Sequence, residues 1–386
     1  MQLSKKHWIY IVVTLGFITQ ILLSKELWYG ESRLFFLVPM FKALPLNIGN
    51  IDNMLLFIGL LLSLLIGVFY HKRYLLIGVL GFIAILFLQD ITRIQAWSYQ
   101  YFLLFFILFI DWEKTTKETL PALQYILIFT YFWSGFQKIN PHYVDSVHPW
   151  LFSAYDWSKP LAESTVLAYG TAIIETVLGI GLMFRVTQKI AVIGAISMHI
   201  LVLSMIGPWA LDWNSVVYPW NIVMIFLLII LFWHKNDKKT ESPKPFLLTP
   251  QSSIQWIILI AVGILPLFNI LFNRFPETIS MTMYNGATSE LTVYFPENEN
   301  PKCIPYEAKR DVYPALNGNL LSLDDWGVQE LNVPVYDLPT YAQKFGKQFC
   351  DCVEDKLNSG IRVTNIKRWQ TKDSKIIEWI SCQDLK

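Results

Sequence analysis

Long apolar stretches separated by short polar segments dominate the first 272 residues of the chain. A helix that crosses the hydrocarbon core of a bilayer needs roughly 17–25 apolar residues, because its backbone polar groups must be satisfied within the helix. Nine stretches approach that length, and we predict a membrane helix for each: 7–23, 53–70, 74–89, 97–111, 119–137, 165–184, 190–207, 216–234 and 252–272. The first follows Lys5 and Lys6, but the segment after it has no small-residue cleavage site, so we interpret it as an uncleaved helix.

The pattern changes after residue 272, where charged residues become frequent. Alternation of apolar and polar residues predicts strands, and apolar residues at helical spacing predict one helix. The predicted elements are strands at 280–284 and 290–295 joined by a turn at Asn285-Gly286, a helix from Tyr341 to Leu357, and a closing strand from Lys375 to Ile380. We therefore predict a transmembrane helical domain over residues 1–272 and an extracytoplasmic α+β domain over residues 273–386.

The composition agrees with a polytopic α-helical membrane bundle. Hydrophobic residues make up 54% of the 386 residues, charged residues make up 16%, and the mean hydropathy is +0.39. The 31 Lys and Arg residues nearly balance the 30 Asp and Glu residues, and the cations form no cluster. This argues against nucleic acid as a partner, because phosphate binding needs grouped cations. The expected partner is the lipid bilayer.

The distribution of lysine and arginine indicates which loops face the cytoplasm, because cationic loops are retained there during insertion. With nine spans and a cytoplasmic N-terminus, the inner segments carry Lys5, Lys6, Lys72, Arg73, Lys114, Lys117, Arg185, Lys189, Lys235, Lys238, Lys239 and Lys244. The outer segments before the tail carry half as many: Lys25, Arg33, Lys42, Arg93, Lys138 and Lys159. We therefore predict a cytoplasmic N-terminus and an extracytoplasmic tail.

All four cysteines lie in this tail, at Cys303, Cys350, Cys352 and Cys382. An extracytoplasmic compartment permits disulfides. Cys350 and Cys352 are too close in sequence to bridge each other comfortably, so we expect each to pair with Cys303 or Cys382, and both pairings stay open. A zinc site is less favoured because the spacing is not of the CxxC type, and no metal is predicted.

Ionisable side chains within apolar helices are costly, so each is a candidate functional residue. Lys138 ends the fifth stretch, while Glu175 and His199 lie in the middle of the sixth and seventh. Each also has a structural interpretation: a lysine that reaches interfacial water, a glutamate bonded to a neighbouring helix, and a neutral buried histidine. Asp90 and Arg93, three residues apart, suit a helix-end ion pair. Together these residues indicate a polar cavity within the bundle.

Two predicted outer loops, 27–45 and 148–157, combine Trp, Tyr and Pro with few charges. Such segments usually lie at the level of the lipid headgroups, where aromatic rings anchor a protein. The alternative interpretation is a lid over a cavity that opens outward.

The order of these residues resembles the vitamin K-dependent γ-glutamyl carboxylases and their bacterial relatives with the horizontally transferred transmembrane (HTTM) domain. That family has an Asp-x-Thr-x-Trp-x-x-His-x-Tyr-x-Tyr stretch, then Tyr-Phe-x-x-Gly-x-x-Lys-Leu, then Trp-Leu-Phe-Ser, then a mid-span acid before a glycine, and then Phe-His. The matching positions, which fall within about residues 85–235, are Asp90, Thr92, Tyr99, Tyr101, Tyr131, Phe132, Gly135, Lys138, Ile139, Trp150, Leu151, Phe152, Ser153, Glu175, Gly179 and His199.

The resemblance implies that Lys138 is the base that deprotonates a vitamin K-like hydroquinone. Oxygenation of the quinol then yields a strong base that removes the γ-hydrogen of a glutamate, so that CO2 adds. Burial lowers the pKa of a lysine in general, which suits such a role. We also predict a catalytic-site location for Glu175 and His199, and substrate-binding positions at Asp90, Arg93, Trp97, Tyr99, Gly135 and Trp150.

One position departs from the family pattern: Trp97 stands where the family has its histidine, and an indole N–H only donates. We therefore expect an enzyme that acts on a reduced quinone such as menaquinol, or on another small apolar substrate, and not a true glutamate carboxylase. The alternative is a non-catalytic membrane scaffold or lipid-binding protein whose extracytoplasmic domain engages a protein partner.

Overall fold

The computed structural model describes residues 4–30, 33–41, 50–70, 72–233, 250–272, 277–306, 308–315, 318–335, 339–366, 368–370 and 375–385. Two compact units alternate along the chain. The first comprises Met1–Gln20, Gly59–Ile83 and Ala96–Gly286, and the second comprises Ile21–Ile58, Ala84–Gln95 and Ala287–Lys386. Some residues used above for the loops and for sidedness lie outside the described residues: Lys42, Pro45, Lys235, Lys238, Lys239 and Lys244.

Apolar helices occur at every stretch for which a membrane helix was predicted, and short helices lie between some of them. The helices before the tail are α1 (Lys5–Leu23), α2 (Lys25–Trp28), α3 (Asn50–Tyr70), α4 (Arg73–Gln89), α5 (Ala96–Ile110), α6 (Thr116–Gln137), α7 (His148–Phe152), α8 (Lys159–Ala162), α9 (Thr165–Met183), α10 (Gln188–Ile206), α11 (Val217–Phe232), α12 (Ser253–Ile258) and α13 (Leu265–Phe272). Serine side chains cap two of them: Ser164 accepts from Leu167 N at the start of α9, and Ser252 accepts from Gln255 N at the start of α12.

Four helices among the described residues are long and apolar enough to cross a membrane: α1, residues Asn53–Tyr70 of α3, α9 and α10. Helices α4, α5 and α11 and the stretch Ser253–Phe268 are apolar but shorter than 18 residues. Helix α6 has 22 residues, but its sequence begins with the polar run Thr-Lys-Glu-Thr. The prediction of several membrane-length apolar helices is confirmed, whereas the count of nine spans is not supported.

The tail contains a five-stranded antiparallel sheet with the order β2-β3-β1-β4-β5. Its strands and helices are β1 (Glu290–Phe295), β2 (Tyr313–Ala315), β3 (Gly318–Ser322), α14 (Leu323–Leu331), α15 (Pro339–Cys352), β4 (Gly360–Asn365) and β5 (Ile376–Ser381). In the central strands Val293 lies opposite both Leu321 and Ile361, and all three side chains are fully buried. The α+β prediction for the tail is confirmed in β1, α15 and β5.

The predicted strand at 280–284 is wrong. Residues Glu277–Ser280 form a 3-10 turn, and Met281 and Tyr284 have φ angles of +54° and +52°, which an extended strand does not permit. The Gln137 side-chain amide donates to the carbonyl of Ser280 at 2.8 Å. This segment therefore packs back on the end of α6.

Both disulfides of the tail follow one of the two pairings left open by the sequence. Cys303 is bonded to Cys352, with Cα atoms 6.1 Å apart, and Cys350 to Cys382, with Cα atoms 5.2 Å apart. The last turn of α15 supplies both Cys350 and Cys352, so this helix is tied to two other segments of the tail. With all four sulfur atoms in disulfides, none is a thiolate ligand for zinc.

Candidate functional site

One face of α6 carries three polar side chains of the first unit. Tyr131, Ser134 and Lys138 follow each other at spacings of three and four residues, which places them along one side of a helix. The Lys138 residue is 9% exposed. Its Nζ donates to Ser134 Oγ at 2.9 Å and to Glu175 Oε2 of α9 at 2.6 Å. The lysine amine is therefore withdrawn from water and held between two partners.

Two glycines allow α6 and α9 to approach closely enough for this ion pair. A Cβ atom added to Gly135 would overlap the Thr176 backbone and lie 2.8 Å from the carbonyl oxygen of Ala172. A Cβ atom added to Gly179 would lie 2.6 Å from the backbone nitrogen of Phe132. Small residues at helix crossings serve this purpose in membrane proteins. Gly135, predicted as a substrate-binding residue, therefore lies in the contact between the two helices.

The Lys138 and Glu175 side chains are 11% and 12% exposed. Charges this poorly hydrated depend on each other, because removing one partner leaves the other without compensation. A hydrogen bond between charged groups such as these is stronger than one between neutral groups. The Lys138–Glu175 ion pair therefore links α9 to the end of α6.

His199 lies in a chain of hydrogen bonds between α6, α10 and α11, and is 2% exposed. Asn221 donates through Nδ2 to the carbonyl of Val217 at 2.7 Å, so its Oδ1 faces His199 Nδ1, at 2.6 Å. Because Oδ1 only accepts, Nδ1 of the histidine carries the hydrogen. Its Nε2 lies 2.6 Å from the Tyr131 hydroxyl. In the neutral imidazole Nε2 accepts, so Tyr131 donates to it.

The polar network continues beyond the histidine. The Trp220 ring lies 6.1 Å from the His199 ring, and its Nε1 donates to Gln100 Oε1 of α5 at 2.7 Å. Gln100 Nε2 in turn donates to Thr130 Oγ1 at 3.3 Å. Four helices therefore contribute polar side chains around His199: α5, α6, α10 and α11.

Three further predicted site residues lie in the first unit, two of them in aromatic packing. Trp97 is 6% exposed, and its ring centroid is 6.2 Å from that of Phe17. Trp150 lies next to Trp213, at 5.5 Å between ring centroids, and stacks on Tyr284 at 6.1 Å. Tyr99 lies on α5, half-buried.

Asp90 and Arg93 belong to the second unit, where the expected pair between them is replaced by another. The partner of Asp90 Oδ2 is Arg33 Nη1, at 2.8 Å, and their side chains are 0% and 3% exposed. Burial by itself would raise the pKa of Asp90, but Arg33, Arg93 and hydrogen bonds from Thr92 together lower it. The Asp90 carboxylate also caps the short turn that follows it, by accepting from Thr92 N at 3.0 Å.

Arg93 donates to backbone carbonyls and to an amide side chain. Its guanidinium donates to the carbonyls of Leu27, Leu86 and Trp28 at 2.9, 3.1 and 3.2 Å. A further hydrogen bond joins it to Gln89 Oε1 at 2.9 Å. Arg93 therefore fastens chain segments together, and this structural role accounts for its burial without a substrate.

Some partners of the predicted site residues, in both units, were not singled out by the sequence patterns. Arg33 lies in an aromatic loop that drew attention for its rings and not for its charge. Asn221 is a lone amide within the apolar stretch 216–234, and that isolation is a signal that would have identified it. Ser134 lies four residues before Lys138, within reach on one helix face.

Comparison of the chain with protein-family models, with curated proteins and with solved structures finds no match. The functional interpretation therefore depends on the geometry around Lys138, Glu175 and His199.

Proposed function

We propose that the chain is a membrane enzyme in which the Lys138–Glu175 pair removes a proton from a lipid-soluble hydroquinone. The observation that carries this proposal is the 2.6 Å contact between Lys138 Nζ and Glu175 Oε2, with both side chains nearly excluded from water. Ionisable residues at such positions in apolar helices usually have a functional role.

The pair suits proton abstraction because the carboxylate of an ammonium–carboxylate ion pair can still accept a proton. When a hydroquinone hydroxyl approaches, its proton passes to the pair, which then holds an ammonium and a carboxylic acid. The resulting positive charge lies beside the new quinolate anion and stabilises it in a poorly hydrated setting. A reduced quinone such as menaquinol is the proposed substrate or cofactor, with O2 as the oxidant of the quinolate.

Aromatic side chains on the same helix suit a flat, apolar substrate. Phe132 and Phe136 stack with ring centroids 6.0 Å apart, and Phe132 contacts the Trp133 ring at 4.8 Å. The Trp97 indole supports the restriction to quinol chemistry, because it lacks the acceptor and proton-shuttling capacity of an imidazole. We propose no carboxylation of glutamate by this chain.

A membrane location is supported by the side chains that face outward from the helices. Phe69, Val166 and Ile190 are 80%, 85% and 74% exposed, which suits contact with lipid and not with water. The two disulfides support a tail on the oxidising side of the membrane. A cytoplasmic N-terminus stays a prediction from the lysine and arginine distribution.

Purified full-length protein in lipid vesicles, supplied with menadiol and O2, tests the proposal. We expect quinol consumption and O2 uptake above the rate in protein-free vesicles. Lys138→Met, which keeps the length of the side chain but removes the amine, is expected to lower turnover at least a hundredfold, the scale of general base catalysis. The matched control is Lys159→Met, whose exposed lysine pairs with Asp156 at the surface.

A second candidate function is a non-catalytic scaffold or lipid-binding protein that presents the disulfide-bonded tail to an extracytoplasmic partner. It is favoured by the fact that Lys138 and Glu175 satisfy each other, as a purely structural pair between helices would. The same experiment separates the two. Wild-type protein without quinol turnover, or a Lys138→Met variant as active as wild type, would contradict the enzyme and leave the scaffold.

A further inference from the structure

A hydroquinone has two hydroxyl groups, and the Lys138–Glu175 pair accounts for the removal of only one proton. Complete conversion of a quinol to a quinone passes two electrons to O2, which becomes peroxide, and removes both hydroxyl protons, so a protein group beside the second hydroxyl assists the second removal. The first unit also places a histidine acceptor against a hydroxyl donor, in the group Tyr131, His199 and Asn221.

We infer that Tyr131 is the second proton-accepting group of the proposed quinol site, with His199 as the acceptor of its proton and Asn221 as the positioning residue. The inference rests on the proposed function. It adds a second deprotonation of the hydroquinone and three residues with separate roles.

Helix geometry supports a common site for Tyr131 and Lys138. Tyr131 lies on α6 and Lys138 directly follows the last residue of this helix, so the spacing of seven residues places them about 10 Å apart along the axis and on nearly the same side. The hydrogen bond from Lys138 to Ser134 shows that the amine turns back by one turn, toward Tyr131. The Tyr131 and His199 ring centroids are 5.7 Å apart, so the histidine lies beside this part of α6.

The proton transfers balance without a further reactant. The second substrate hydroxyl gives its proton to the Tyr131 oxygen while Tyr131 gives its own proton to His199 Nε2. The products are an anionic substrate oxygen, an intact tyrosine and an imidazolium whose Nδ1–H still donates to Asn221 Oδ1. Asn221 has the role of the residue that orients the base in a catalytic triad, because its contact with Nδ1 leaves Nε2 of His199 free to accept a proton.

The tautomer provides a test that does not depend on activity. We propose nitrogen NMR of full-length protein with 15N-labelled histidine in lipid nanodiscs, with the His199 signals assigned by difference from His199→Gln. The expected result at neutral pH is a protonated Nδ1 and an unprotonated Nε2 in the wild type. Asn221→Leu is expected to remove that preference. A protonated Nε2 in the wild type would overturn the inference.

Kinetics with menadiol in vesicles tests the role in turnover. Tyr131→Phe and His199→Gln are each expected to lower kcat at least tenfold with KM within about twofold, because general base catalysis contributes on the order of 100-fold or more. The double variant is expected to be no slower than the slower single variant, since the two residues act as a unit. Tyr125→Phe is the matched control, with the same chemical change on the same helix.

The outcomes distinguish this inference from the proposed function. Active wild type, inactive Lys138→Met and a fully active Tyr131→Phe would overturn the inference alone. Wild type without turnover would overturn the proposed function together with the catalytic role of Tyr131. Losses in Tyr131→Phe and His199→Gln that multiply in the double variant would also overturn it, because separate structural damage behaves in that way.

Discussion

Breaking the Lys138–Glu175 pair from one side is expected to cost much more stability than removing it from both sides. At 2.6 Å the attraction of two unit charges is about 6 kcal/mol for an effective dielectric constant near 20. Desolvation offsets a large part of this attraction, so the complete pair contributes little net stability. A single substitution leaves one poorly hydrated charge uncompensated, and therefore lowers the free energy of unfolding by nearly the whole desolvation cost of that charge.

The assay is unfolding of the protein in mixed micelles by increasing dodecyl sulfate, followed by tryptophan fluorescence. Lys138→Met and Glu175→Gln are each expected to lower the free energy of unfolding by about 3–5 kcal/mol. The double variant is expected to lose no more than the larger single loss, which gives a coupling energy of about 3 kcal/mol. The exposed pair Lys159–Asp156, at 2.7 Å, serves as the control, and we expect no measurable coupling there.

Additive losses in the double variant, within about 0.5 kcal/mol, would refute this reasoning. Additivity would mean that the coupling free energy between the Lys138 and Glu175 side chains is close to zero. Such a result would remove the physical basis for treating the pair as one proton-exchange site.

Three further predictions concern a helix contact in the first unit, and a disulfide and a buried ion pair in the second. Gly179→Ala is expected to cost about 1–3 kcal/mol through overlap with α6, whereas Gly170→Ala, in open space on the same helix, is expected to be neutral or slightly stabilising, as thermal unfolding in micelles would show. Replacing Cys303 and Cys352 by serine is expected to cost about 4 kcal/mol because their disulfide closes a loop of 49 residues, and an unchanged melting temperature of the tail would contradict this. Because the pKa of Asp90 is lowered in the folded state, its ionised carboxylate stabilises the fold above about pH 4, and this stability is lost as the pH falls. Asp90→Asn is therefore expected to flatten the decline of the unfolding midpoint in acid. An equal decline in both proteins would contradict this prediction.

Hydrophobic pattern was sufficient to place the apolar helices, because uninterrupted Leu, Ile, Val and Phe leave no alternative to helix in lipid. It was not sufficient to count spans. Helix α5 has 15 residues and α11 has 16, and the pattern does not distinguish a short span from a buried helix. In the tail, β1 and β5 were predictable from alternation. Residues 280–284 alternate equally well, but Ser280 accepts a hydrogen bond from Gln137, 143 residues earlier, and such a distant contact is not visible in local alternation.

The candidate site shows the same division. Lys138, Glu175 and His199 were predictable because ionisable residues are conspicuous in apolar surroundings. Their contacts with Ser134, Tyr131 and Asn221 were not predictable, since these contacts form only when α6, α9, α10 and α11 are packed. The exchange of Arg93 for Arg33 as the partner of Asp90 has the same cause, because the contact joins residues 57 positions apart in the sequence.

Deprotonation of a hydroquinone without turnover is the most direct test of the central claim. Full-length protein in vesicles, mixed with menadiol in the absence of O2, is followed by its ultraviolet difference spectrum. Wild-type protein is expected to produce the spectrum of the quinolate anion in proportion to protein, and Lys138→Met is expected to produce none. Absence of the anion with wild-type protein, or its equal formation with Lys138→Met, would contradict the assignment of the Lys138–Glu175 pair as the base.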